Sequence, residues 1–155
     1  MLELRPFRDE DEPAVWQLHD LALEDAGAHG GSGPWEDDLR DIPATYLDSG
    51  GDFLVCFVDG ELVAIGGLLL RSPGEAEIKR MRVHPEFQRR GLGRLLLRRL
   101  EERAQALGCQ RIRLDTTDEQ TAARRLYERS GYRETGRRQT DRFLFIDYAK
   151  TLERA

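Results

Sequence analysis

Between Glu75 and Leu107 the sequence passes from a strand-like run through a glycine turn into an amphipathic helix, and no other stretch constrains the fold as tightly. Glu75 to Val83 reads as a strand stopped by His84-Pro85, and Gln88-Arg89-Arg90-Gly91-Leu92-Gly93 follows. From there Leu97, Leu100, Ala104 and Leu107 recur on one helical face with Leu96 beside them, and Gly108 ends the run. A helix opened in this way has first N–H groups without intrahelical partners, at the positive end of its dipole. The stretch therefore predicts a site for a phosphate-bearing ligand. There is no G-K-[ST] of a P-loop, and Arg94-Leu95-Leu96 after Gly93 breaks any G-x-G-x-x-G, so the common nucleotide motifs are excluded.

The remaining elements follow from periodicity and turn chemistry. Leu2 to Phe7 alternates as a first strand, and a helix with Pro13 in its first turn, capped by Asp9 or Asp11, carries Ala14, Val15, Leu18, Leu21 and Ala22 at helical spacing. Gly27 to Pro34 is too rich in glycine for regular structure, and Trp35 to Leu47 predicts a weaker helix interrupted by Pro43. The runs Phe53 to Val58 and Leu62 to Leu70 flank Asp59-Gly60, a strong hairpin signal, and Ser72-Pro73-Gly74 turns the chain into Glu75 to Val83. Arg111 to Asp115 predicts a strand, Thr117 or Asp118 caps a helix running to about Arg129, and Tyr132 to Arg138 and Arg142 to Lys150 predict two closing strands.

At 155 residues and 39% hydrophobic, the chain predicts one domain with one well-buried core. Met1 to Glu12 is acidic and lacks the apolar core of a secretory signal, and no apolar run reaches membrane-spanning length. The expectation is a cytoplasmic protein without a membrane partner, in which Cys56 and Cys109 are reduced packing residues. The net charge of −5 hides an asymmetry: residues 1–70 hold 3 Lys+Arg against 16 Asp+Glu, and residues 71–155 hold 21 against 13. A basic half suits a polyanionic ligand, and an acidic half, with Glu36, Asp37, Asp38 and Asp41 clustered in it, suits a cation. Nucleic acid is a poor partner for such a chain, because its total charge is negative and no aromatics interleave with the arginines.

A second motif lies downstream in Gln120-Thr121-Ala122-Ala123-Arg124-Arg125-Leu126-Tyr127-Glu128-Arg129-Ser130-Gly131-Tyr132. Together with Met81-Arg82-Val83-His84-Pro85 and Gln88 to Gly93 it resembles the GCN5-related N-acetyltransferase (GNAT) family, over nearly the whole chain. The resemblance implies an α/β (α+β) fold in which helices flank a mixed, mostly antiparallel central sheet, in the order β-α-α-β-β-β-α-β-α-β-β. It also implies an N-acetyltransferase that moves acetyl from acetyl-CoA to a primary amine by direct attack, without a metal. The acidic first half then points to a small cationic molecule or peptide as acceptor. The oligomeric state, monomer or homodimer, is left open.

The resemblance assigns roles to particular residues. Backbone groups of Met81 and Val83 hold the thioester and pantetheine, and the Gln88 to Gly93 turn takes the pyrophosphate. Gly91 and Gly93 allow the close approach, the N-terminus at Leu92 supplies donors, and Arg89, Arg90 and Arg94 are available to neutralise charge. Gln120 stands where the family has an asparagine and keeps the side-chain amide that bonds the pantetheine arm. Tyr127 is the expected general acid for the leaving thiolate, and Glu77 the expected acceptor of the amine's proton, directly or through water. Glu77 is placed on the same period-2 side as Met81 and Val83, with Glu75 as its competitor. The rival from another class is a CoA-binding regulatory module without turnover.

Overall fold

A computed structural model describes residues 1–152 of the chain. Its strands are β1 (Leu2–Pro6), β2 (Asp52–Val58), β3 (Glu61–Ser72), β4 (Glu75–Val83), β5 (Arg111–Thr117), β6 (Arg133–Gln139) and β7 (Leu144–Thr151). Its helices are α1 (Glu12–Asp25), α2 (Asp37–Arg40), α3 (Leu92–Ala106) and α4 (Thr121–Arg129). The chain order matches the expected one. The strands form a seven-stranded sheet in the order β1-β2-β3-β4-β5-β7-β6, antiparallel at every pairing except β4 with β5.

Local signals account for most of these elements. The β2–β3 hairpin turns at Asp59 and Gly60, both at positive φ (49° and 83°), as a two-residue turn matched to strand twist requires. Helix α1 starts beside Pro13, but Asp11 does not cap it with its side chain. The Asp11 carboxylate instead takes both Nη groups of Arg5, at 2.8 and 2.9 Å, and the Arg8 N–H. The segment predicted as one helix from Trp35 to Leu47 is divided into a 3-10 turn at Pro34–Glu36, the single-turn α2, and a π turn at Pro43–Leu47. Pro43 cannot donate to the preceding turn, which is why the helix does not run through. Neither Thr117 nor Asp118 caps α4, since Thr117 still belongs to β5 and Gln120 occupies the cap position.

Two apolar clusters cover the two faces of the sheet. On one face Leu96, Leu97 and Leu100 of α3 pack with Ala76, Ile78, Met81, Ile112 and Tyr127. On the other, Val15 and Leu18 of α1 and Tyr46 pack with Phe53, Val55 and Ile65. Each fully buried leucine contributes about 2 kcal/mol. Two glycines of β3 let both layers approach: a Cβ on Gly66 would stand 2.7 Å from Met81 Sδ, and one on Gly67 2.6 Å from the Tyr46 ring.

Opposite Gly66, β4 carries one extra residue. The register runs Gly67↔Lys79 and then Ile65↔Arg82, so Arg80 and Met81 together oppose a single position, and Arg80 adopts φ 61°. The bulge reverses the alternation of side chains. Ala76 and Ile78 therefore share a face with Met81, although they differ from it in parity.

Candidate active site

The parallel ladder between β4 and β5 consists of Glu75↔Arg111, Ala76↔Ile112 and Glu77↔Arg113, and beyond it the two strands separate. On its other edge β4 stays bonded to β3, with the His84 N–H on Val63 O at 2.8 Å. Alternation along an antiparallel ladder then turns the peptide groups of Val83 and Met81 away from β3 and into the opening. Two free N–H groups thus face a gap that leads to the glycine turn.

At the mouth of the gap Gly91 is the N-cap of α3 at φ 81°, with open space around its missing Cβ. Arg89 also takes a positive φ, 65°. The Leu92 side chain is buried in the α3 cluster and anchors the helix start. Gly93 has a different constraint from Gly91: a Cβ there would lie 3.1 Å from Leu126 Cδ2 and 3.5 Å from Val83 Cγ2. Gly91 is thus needed for its conformation, and Gly93 for the close seating of α4. Arg89, Arg90 and Arg94 are exposed, and Arg90 stacks on Phe87 with its guanidinium carbon 4.8 Å from the ring centre. Gln88 Nε2 reaches toward Val83 O at 3.5 Å, and Gln120 Nε2 donates to Thr117 Oγ1 at 3.1 Å.

Tyr127 lies in the cluster that contains Met81, Leu92 and Leu114, with the rings of Tyr132 and Tyr148 each 6.0 Å away. Its hydroxyl makes no hydrogen bond among the described residues. Burial pushes the phenol above its ordinary value, and the Arg82 guanidinium opposes that rise. Tyr127 therefore combines a packing role with a hydroxyl held in its protonated form near both separated strands.

Glu77 is not where parity placed it. Because the bulge at Arg80 intervenes, Glu77 shares the opposite face from Met81, at the closed end of the fork. Its carboxylate pairs with Arg71 at 2.6 Å and Arg113 at 3.7 Å, and Glu75 pairs with Arg111 and Arg113. The acidic cluster is likewise committed within the fold. Asp37 pairs with Arg40, Asp41 accepts from the Ala44 N–H, Glu36 bonds His19, and Asp38 takes Arg80 and the Tyr46 hydroxyl. Each carboxylate proposed to attract a cationic acceptor already has a partner.

On the α1 side of the sheet stand four residues that motif spacing did not single out: His19 and Tyr46, both fully buried, and Arg80 and Arg82 of β4. Asp38 is held at about pKa 2, because the Arg80 fork and the Tyr46 hydroxyl outweigh the burial that opposes its charge. His19 is completely buried and lies 2.8 Å from Glu36 Oε2 through Nε2. Burial, with the charges of Arg82 and Arg80, lowers its pKa to about 3, so the imidazole is neutral. Its Nδ1 and Glu36 Oε1 are enclosed and unpartnered. His19, Asp20 and Glu36 bring one ligand atom each within 4.8 Å of one another, but the two guanidinium groups nearby oppose a cation there. The visible signal for this side was Arg80-Met81-Arg82 itself, two arginines flanking a core methionine in a strand.

The opening, the turn and the tyrosine define the class of the protein. The acetyltransferase (GNAT) family model matches residues 7–132. The chain belongs to that family and is an acetyltransferase that uses acetyl-CoA. A GNAT-family acetyltransferase from Staphylococcus aureus Mu50 superposes with a TM-score of 0.90 at 19% identity, covering 99% of this chain and 100% of the other. A putative acetyltransferase from Salmonella typhimurium, solved with acetyl-CoA, gives 0.80 at 21% identity, covering 98% and 94%. The ribosomal-protein-S18-alanine N-acetyltransferase of Escherichia coli gives 0.78 at 24% identity, covering 100% and 96%. At these identities the likeness is one of fold. No helix among the described residues is long and apolar enough to cross a membrane.

Proposed function

We propose that the chain transfers acetyl from acetyl-CoA to a primary amine by direct attack, with the donor lying in the gap between β4 and β5. The observation that carries this reading is the pair of β4 peptide groups, Met81 and Val83, facing the gap opposite Tyr127. Acetyl-CoA supplies an activated acyl group and a thiolate leaving group. The N–H groups of Met81 and Val83 polarise the thioester carbonyl and stabilise the oxyanion that forms on attack. The Gln88 to Gly93 turn and the first N–H groups of α3 hold the pyrophosphate, helped by Arg89, Arg90 and Arg94, while Gln120 bonds the pantetheine arm.

Tyr127 donates its hydroxyl proton to the departing thiolate, and the positive charge of Arg82 favours the phenolate left behind. The amine must lose its own proton before it can attack. Glu77 is the β4 carboxylate nearest the opening on the acceptor side, and it takes that proton through water. The acidic cluster of the first half no longer assigns a sign to the acceptor, because Glu36, Asp37, Asp38 and Asp41 each have a partner within the fold.

Thiol release from acetyl-CoA across a panel of amines tests the reading, with acetyl-CoA binding measured in parallel. Amine-dependent release that drops sharply in Tyr127→Phe supports transfer. Binding of acetyl-CoA without release from any amine would instead make the chain a CoA-binding regulatory module.

A further inference from the structure

Arg80 and Arg82 are two residues apart on β4, yet only one of them has an anionic partner. Arg80 Nε and Nη2 grip the Asp38 carboxylate, and the same Nη2 also bonds Trp35 O at 2.5 Å. Arg82 has no ion-pair partner among the described residues. Its Nη1 donates to the Met81 carbonyl at 2.9 Å, one of the peptide groups turned into the gap, and its Nε is enclosed without a partner. The guanidinium charge bears on His19 of α1 on one side and on Tyr127 of α4 on the other. Arg82 also lies on the part of β4 that has parted from β5, where donor and acceptor must meet.

A guanidinium with an enclosed, unsatisfied Nε and no carboxylate partner is costly, and its remaining, partly exposed donors suit an anionic ligand best. Of the two substrates, the donor cannot supply that charge at this place. Its phosphates belong at the glycine turn, and its thioester and pantetheine are neutral. The acceptor is left. Resting on the transferase reading above, we propose that Arg82 binds a carboxylate of the acceptor, so that the substrate is an amine with a carboxylate close to its reacting nitrogen, as in a free amino acid.

The test compares amino acids with their own carboxamides, which differ in the one charge, in thiol release from acetyl-CoA. In the unaltered protein the acids should exceed the amides in kcat/KM by about 10-fold or more, the range of a charge-assisted hydrogen bond. In Arg82→Gln the acid's KM should rise until acid and amide are alike, with the KM for acetyl-CoA unchanged, and Arg82→Lys should restore part of the preference. N-acetylated amino acids should inhibit the unaltered protein competitively against the acceptor and their amides should not, a comparison that needs no variant. Amides used as well as acids would overturn the inference, as would an Arg82→Gln effect confined to acetyl-CoA. Acetyl-CoA binding with no release from either set also overturns it, whereas failure to bind acetyl-CoA overturns the transferase reading itself.

Discussion

Arg80 and Asp38, 42 residues apart in sequence, meet through two hydrogen bonds of 2.9 and 2.6 Å that tie the bulge of β4 to helix α2. Both side chains are about 12% exposed, so the pair is well shielded from water. It also holds Arg80 at a positive φ that a non-glycine residue adopts at a cost of about 1 to 2 kcal/mol.

Removing one partner should cost far more than a surface pair would. Asp38→Ala leaves a shielded guanidinium and the Tyr46 hydroxyl without their acceptor and should destabilise the fold by about 3 to 5 kcal/mol. Asp38→Asn, which retains an acceptor oxygen, should cost less. Urea unfolding of the three proteins measures the difference, and equal midpoints would mean that the pair does not hold the bulge.

His19 should make the fold sensitive to mild acid. The unfolded chain's imidazole takes a proton below about pH 6.5, while the folded one does so only near 3. Between those values the unfolded state binds more protons, so stability is fully present above 6.5 and declines as pH falls toward 3. The slope approaches about 1.4 kcal/mol per pH unit for this one group. Asp38 adds a later loss as pH falls from its ordinary value of 3.8 toward about 2. Unfolding midpoints measured from pH 7.5 to 4 should decline in the unaltered protein and flatten in His19→Gln.

Tyr127→Phe should separate chemistry from packing. The hydroxyl has no hydrogen bond to lose, so the melting temperature should hardly change, while kcat falls by about 10²- to 10⁴-fold with the KM for acetyl-CoA preserved. Since burial raises the phenol above 10, no loss of kcat/KM attributable to Tyr127 should occur below pH 10. A variant with undiminished kcat would leave the tyrosine a packing residue.

The two glycines of the turn should respond differently to alanine. Gly91→Ala imposes a positive φ on a residue with a Cβ and should cost about 1 kcal/mol although nothing obstructs the side chain. Gly93→Ala gains helix propensity of about 1 kcal/mol, offset by a 3.1 Å contact with the flexible end of Leu126, and should leave stability nearly unchanged. Both should raise the KM for acetyl-CoA. Thermal melts and donor titrations of the two variants give the comparison.

Much of this architecture can be read locally. Asp59-Gly60 places the β2–β3 hairpin, Gly91 and Gly108 delimit α3, and the leucine period shows which face of α3 is buried, because each depends on a few consecutive residues. The donor side of the site is legible for the same reason: strand, turn and helix start are contiguous in sequence. Period-2 counting failed at Glu77, since it assumes an unbroken strand and β4 has a bulge.

The sequence by itself determined the order of elements, the glycine turn and the tyrosine motif, all products of short-range backbone preference and side-chain period. Only the tertiary structure decided which charges are free. Asp38 looked available to a cation until Arg80 reached it from 42 residues away, and the fold leaves Arg82, on the part of β4 that separates from β5, without a carboxylate among the described residues. Ion pairing depends on distance and on the exclusion of water, and neither exists before the chain is folded.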